Sequence, residues 1–227
     1  MSYHSIHTIS SLASTVMVLL ATDVACLSPL VAAPTVTITS PADGAVFHPG
    51  QTLDITVTAT PLAFRTVVVT VGDLHPSGRT EVLTAAPYRF RIRIPSRAVP
   101  GPYMLLAVGV TPDGTAVDSD PITVAVERPE SPLKLESDLH TLIFDYASGS
   151  AALVVYGTFP DGAKVDLTRS TLTKHASDRP EVATVDANGV VTAVSPGSAR
   201  ITVTNGNAVL VIPVTVADKR LPEGKKR

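Results

Sequence analysis

Arg89, Arg91 and Arg93 alternate with Tyr88, Phe90 and Ile92 in one short run, and Arg97 follows closely. Side chains two apart in an extended chain point the same way, so the three guanidinium groups share one face of a strand. That stripe can contact an anionic glycan, lipopolysaccharide or a partner protein. It can equally pair with carboxylates such as Asp54 or Glu81 on neighbouring strands. Exposed aromatics do not interleave it, so it is a poor platform for nucleic acid, and no nucleic-acid partner is expected.

Asp113, Asp118 and Asp120 put three carboxylates within eight residues. Calcium takes about six to eight oxygens, and these three could supply part of such a shell. Against this, Asp113 belongs to a Pro-Asp-Gly turn and Asp120 precedes Pro121, where turn geometry accounts for an aspartate. No metal and no other cofactor is assigned.

Catalytic spacings are missing. A nucleophile elbow needs Gly-x-Ser-x-Gly, which does not occur, and no pair of histidines has His-x-x-x-His or His-Glu-x-x-His spacing. His175 with Asp178 and either Ser170 or Ser177 can be written as a Ser-His-Asp set, but nothing nearby suggests an oxyanion hole or a pocket. Each glycine punctuates a turn without a following helix to cradle phosphate. The reading is non-enzymatic.

The elements that would carry these residues are short strands. Of 227 residues, 44% are hydrophobic and only 17% charged, which argues against disorder, while 19 Pro and 14 Gly interrupt the chain at short intervals. Val and Thr abound and Trp is absent, an all-β composition. A net charge of −2 gives no global attraction to nucleic acid or an anionic membrane. The single cysteine, Cys26, precedes the first expected strand, so no domain can hold an internal disulfide or a cysteine-based structural zinc.

Residues 1–32 read as a signal peptide. Ser11 to Ala21 form an apolar run of signal-core length, too short to anchor in a bilayer, and the small residues Ala32 and Ala33 mark a cleavage region. Cleavage is expected after Ala32, leaving a mature protein without an integral membrane span. Ala25 suits a lipidation site at Cys26 but Asp23 does not, so the cysteine is expected to leave with the leader. Residues 218–227 read as a solvated basic tail. The expected location is extracytoplasmic or secreted, at the cell surface or in the periplasm.

Between Pro34 and Glu127, period-two runs recur at Leu53-Ile55-Val57, Val67-Val69-Val71 and Tyr88-Phe90-Ile92-Ile94, with turn dipeptides between them. About seven strands in this length predict an immunoglobulin-like β-sandwich over 34–128. Residues 129–132 contain two prolines and predict a short, semi-extended linker with few contacts across it. A second sandwich is expected over 133–217, including a strand within Thr171–Ser177 and a closing strand through Val216. Pro213 puts that closing strand at an edge or a bulge. Gly189, after Asn188, and Gly197, after Pro196, are the turn residues least open to replacement.

The stretch from Val182 through Ile201, with Val185, Gly189, Val191, Ala193, Gly197 and Ala199 at their spacings, resembles the bacterial immunoglobulin-like group 2 domain over about residues 133–217. Asp166-Leu-Thr168 is similar to a recurrent element of that family, whereas His175 stands near where the family often has Trp or Tyr. The start of the first module resembles bacterial surface immunoglobulin-like domains less specifically. The resemblance implies tandem β-sandwiches serving adhesion, spacing or binding at the bacterial cell envelope, with a protein or glycan partner. The alternative is a carbohydrate- or polymer-binding accessory of a secreted enzyme system.

Overall fold

The computed structural model describes residues 33–60 and 64–218. The expected leader with Cys26, and the tail beyond Asp218, lie outside these residues. The described residues from Pro34 onward form one compact unit.

Its first half contains β1 (Thr35–Ser40), β2 (Val46–Phe47), β3 (Thr52–Thr60), β4 (Thr66–Thr70), β5 (Tyr88–Arg93), β6 (Gly101–Val110), β7 (Ala116–Asp118) and β8 (Ile122–Val126). Alternation decides which face each strand buries. In β3, Leu53, Ile55, Val57 and Ala59 turn inward, and in β5, Tyr88, Phe90 and Ile92 do the same. One sheet has the order β1-β3-β5; the other runs β2-β8-β6-β4, with β7 also paired to β6. A 3-10 turn, Gly72–Leu74, drops Leu74 fully into the core between them.

The second half contains β9 (Lys134–Ser137), β10 (Leu142–Phe144), β11 (Ser150–Ala152), β12 (Val155–Thr158), β13 (Lys164–Asp166), β14 (Lys174–Ser177), β15 (Ala183–Val185), β16 (Val190–Ala193), β17 (Gly197–Asn205) and β18 (Ala208–Val216). A four-stranded sheet, β10-β18-β17-β14, and two three-stranded sheets, β13-β12-β9 and β11-β16-β15, share a second apolar cluster that includes Val155, Leu167, Val191, Ile201 and Ile212. The protein is thus all-β, with two tandem immunoglobulin-like sandwiches.

Two local expectations are refined. The strand expected within Thr171–Ser177 begins at Lys174 and pairs with β17, leaving Ser170, Thr171 and Leu172 outside the ladder. By order β18 is interior, not an edge. It pairs with β17 through Arg200↔Pro213, while β10 joins it only at Val214–Val216. The residue lacking an N–H therefore sits one step before the β10 side becomes occupied, where no ladder bond is needed.

Candidate functional site

The arginine stripe lies on β5, an edge strand of its sheet. Arg89, Arg91 and Arg93 are all exposed, because the intervening Tyr88, Phe90 and Ile92 fill the core. Register sets Arg93 opposite Thr52, Arg91 opposite Asp54 and Arg89 opposite Thr56. Asp54 Oδ1 accepts a 2.6 Å hydrogen bond from Arg91 Nε, and this bond raises the arginine pKa further above its ordinary value. Both partners are well exposed, so solvent screens the pair strongly. Arg89 and Arg93 make no ion pair among the described residues. Between β3 and β5 the outer face holds a shallow depression of about 420 Å³ lined by Asp54, Thr56, Arg89 and Arg91.

Arg97 does not join the stripe. It follows Pro95 in a turn closed by Ala98 N–H donating to Pro95 O, and it lines a cleft between the two sandwiches with Arg128, Asp161 and Lys164. The strand ends at Arg93, so alternation no longer governs where this side chain points.

The three aspartates are not gathered. Asp113 accepts from Thr111 Oγ1, from Thr115 Oγ1 at 3.2 Å and from Thr115 N–H at 3.3 Å, and these bonds lower its pKa. Asp118 closes β7 and Asp120 follows it. Among the described residues no group of three or more His, Cys, Asp or Glu could hold a metal ion. Asp113 organises its own turn.

The residues of the written Ser-His-Asp set are engaged elsewhere. Asp178 accepts from Arg200 N–H at 2.7 Å and Arg200 Nε at 2.9 Å, which holds its pKa low. Ser170 donates to Glu127 and Ser177 accepts from Arg179 N–H. His175 has both ring nitrogens shielded without a hydrogen-bond partner. Desolvation lowers its pKa, opposed by the Asp186 charge and the Ala187 backbone. The imidazole packs beneath Gly189: a Cβ built there would lie 3.1 Å from His175 Nε2, and Gly189 has φ +77°. Gly197, at φ +151°, comes equally close to Val182.

The best-built polar cluster is one the sequence reading missed. Glu127 follows β8 and is only 3% exposed. Its backbone is pinned to the first sandwich, with its N–H donating to Phe47 O and its carbonyl 2.8 Å from His48 Nδ1. Its carboxylate reaches the second. Oε2 accepts from Ser170 Oγ at 2.7 Å, and Oε1 accepts from Thr171 N–H at 2.7 Å and Thr171 Oγ1 at 2.9 Å. Asn205 Nδ2 donates to Thr173 Oγ1 at 3.0 Å and to Ser170 Oγ at 3.4 Å, continuing the network. Burying a carboxylate costs several kcal/mol, and short charge-assisted bonds to both oxygens offset that cost.

Two arginines flank this cluster. Arg128 Nη2 donates to Asp161 Oδ2 at 2.7 Å while its guanidinium lies 4.4 Å from the Phe159 ring centroid. Arg169 Nη2 donates to Pro102 O at 3.0 Å and stands 5.9 Å from the Tyr103 ring centroid. Beside it, a Cβ at Gly101 would lie 2.8 Å from Arg169 O. Contacts therefore do cross the joint. The linker prolines shape the chain's course, but residues before and beyond the linker make the contacts. An acidic residue directly after the apolar run Val124-Ala-Val126 was the available signal.

Comparison with known proteins identifies the modules. Residues 34–107 match a family model described as a bacterial Ig domain, and residues 172–218 match one described as a bacterial Ig-like domain. No curated protein gives a significant match. Similar solved structures include the fibronectin(III)-like modules of CbhA from Clostridium thermocellum, at 32% identity, covering 40% of this chain and 94% of that chain with a TM-score of 0.35. Domains 4 and 5 of the S-layer protein SbsC are 21% identical, covering 71% of this chain and 82% of that chain at a TM-score of 0.34. The D00-D0 domain of intimin is 12% identical, covering 81% of this chain and all (100%) of that chain at a TM-score of 0.34. Bacterial immunoglobulin-like domains fit a non-catalytic binding or spacer role. No helix among the described residues is long and apolar enough to cross a membrane.

Proposed function

We propose that this chain, a tandem of bacterial immunoglobulin-like domains, is a non-catalytic extracytoplasmic spacer of the bacterial cell envelope that holds its two modules at a fixed angle for adhesion or display. The proposed modules are 34–128 and 133–217, joined by 129–132. One observation carries this reading: the Glu127 carboxylate is buried at the junction with both oxygens bonded to Ser170 and Thr171 of the other sandwich. A flexible tether would leave such a group in water, whereas a buried, fully bonded carboxylate requires one geometry.

The carbohydrate-accessory reading gains less support. A platform for neutral sugars stacks them on exposed aromatics, and among the described residues Tyr146 is the one aromatic that is well exposed.

The test is a distance measurement between spin labels at Thr58→Cys and Thr184→Cys in the mature chain, one in each sandwich. A single narrow distribution supports a fixed spacer, and a broad or multimodal one overturns it. Fractionation of producing cells supplies the second arm: protein found inside the cytoplasmic membrane would end the envelope assignment.

A further inference from the structure

The outer face of the β1-β3-β5 sheet is chemically uniform in a way that the arginines alone do not reveal. The exposed positions of β1 are Thr35, Thr37 and Thr39, and every outward position of β3 except Asp54 is threonine. Register sets Thr35 beside Thr60 and Thr37 beside Thr58, and then sets β3 against the three arginines of β5. The face is therefore a field of hydroxyls bordered by guanidinium groups. Three arginines less one aspartate leave it two positive charges, on a chain whose net charge is −2.

We infer that this face binds a carboxylate-bearing polysaccharide of the polyuronate type, laid along β5 with its sugar hydroxyls over the threonine rows. Charge complementarity sets the sign of the ligand, and the planar fork of arginine suits carboxylate oxygens. Arg91 is paired with Asp54, so among the described residues the free guanidinium groups of the stripe are those of Arg89 and Arg93, about 13 Å apart along the strand at about 3.3 Å per residue, and they can meet two separate charges on one polymer. The hydroxyl rows decide between polyanions, because they offer donors and acceptors that a sugar chain can use. A protein partner fits poorly: the outward positions hold only Thr, Asp and Arg, whereas interface centres favour aromatic anchors and are depleted in charge. Each contact is exposed and individually weak, so affinity comes from repetition and falls with salt. The inference concerns the outer face of β1, β3 and β5, none of whose arginines bonds to the second sandwich, and it does not depend on a fixed interdomain angle.

The experiment is affinity electrophoresis of the mature chain through gels containing polygalacturonate, neutral dextran or polyphosphate. Polygalacturonate should retard the protein at low ionic strength and lose this effect as salt rises, and dextran should not retard it. Arg89→Ala/Arg93→Ala, which leaves the Arg91–Asp54 pair intact, should weaken retardation about tenfold or more. Thr37→Val/Thr58→Val keeps strand propensity while removing two facing hydroxyls, and should weaken polygalacturonate binding severalfold. Absence of retardation, equal retardation by dextran, or no effect of the arginine pair overturns the inference. Equal binding to polyphosphate with no effect of the threonine pair reduces the face to a charge patch and overturns the polysaccharide assignment. Should the alanine pair impair folding, Arg89→Gln/Arg93→Gln supplies the same readout.

Discussion

Glu127 and Thr171 are joined across the two sandwiches by two hydrogen bonds to a single carboxylate oxygen, from Thr171 N–H at 2.7 Å and Thr171 Oγ1 at 2.9 Å. One is a backbone bond, so the loop that opens the way to β14 is fixed by the residue directly after β8. Glu127→Ala leaves the Thr171 N–H and two hydroxyls, that of Ser170 buried, without their acceptor and should cost about 2–3 kcal/mol. Thr171→Val keeps the backbone bond and should cost about 1 kcal/mol. Denaturant unfolding checks both, and Glu127→Ala should also separate the two modules into distinct transitions.

His175 gives the second module a pH dependence of defined sign. Its folded pKa lies below the ordinary 6.5 because burial disfavours the imidazolium. Above about 6.5 the ring is neutral in both folded and unfolded chains and contributes no pH dependence. As pH falls below that value the unfolded chain takes up the proton first, so stability is lost until the folded pKa is passed. Denaturation midpoints measured between about pH 7.5 and 5 should fall for the native protein. The fall should be smaller in His175→Phe, and an equal fall in both would assign it to other groups.

Gly189 should be hard to replace for two separate reasons, its φ of +77° and the His175 ring 3.1 Å from any added Cβ. Gly189→Ala should destabilise by about 1–2 kcal/mol. Gly114, at φ +92° with open space around it, isolates the backbone term, and Gly114→Ala should cost less. Adding His175→Ala to Gly189→Ala should recover part of the difference, which a double-mutant cycle in urea would measure.

The strands were legible because alternation is a local signal. Leu53, Ile55 and Val57, like Tyr88, Phe90 and Ile92, announce their buried face within a few residues, and the arginines between them were forced outward. The joint was not legible, since Glu127 meets partners 43 and 44 residues further along the chain, and no local pattern encodes such a pairing. The threonine rows fall between these cases. Each alternation is plain in its own strand, but only the register of β1, β3 and β5 shows that they form one surface with the arginines. Arg97 is near the stripe in sequence alone, because β5 ends at Arg93 and the side chain lines the interdomain cleft instead.

Gly101 tests the joint through shape where Glu127 tests it through charge. It begins β6 at φ +145°, a conformation that side-chain-bearing residues rarely adopt, and an added Cβ would stand 2.8 Å from Arg169 O and 2.9 Å from Arg169 Cβ. The nearer obstacle is backbone, which cannot rotate away as a side-chain tip can. Arg169 is also the residue whose guanidinium bonds Pro102 O, so displacing it loosens that link as well. Gly101→Ala should therefore strain its own strand and push the second module away, costing about 2 kcal/mol or more. The spin-label distance between Thr58→Cys and Thr184→Cys should broaden in this variant even though every Glu127 bonding partner is retained. An unchanged narrow distance would show that the Arg169 contact has no part in fixing the angle, which would then rest on the Glu127 network and the Arg128–Asp161 pair.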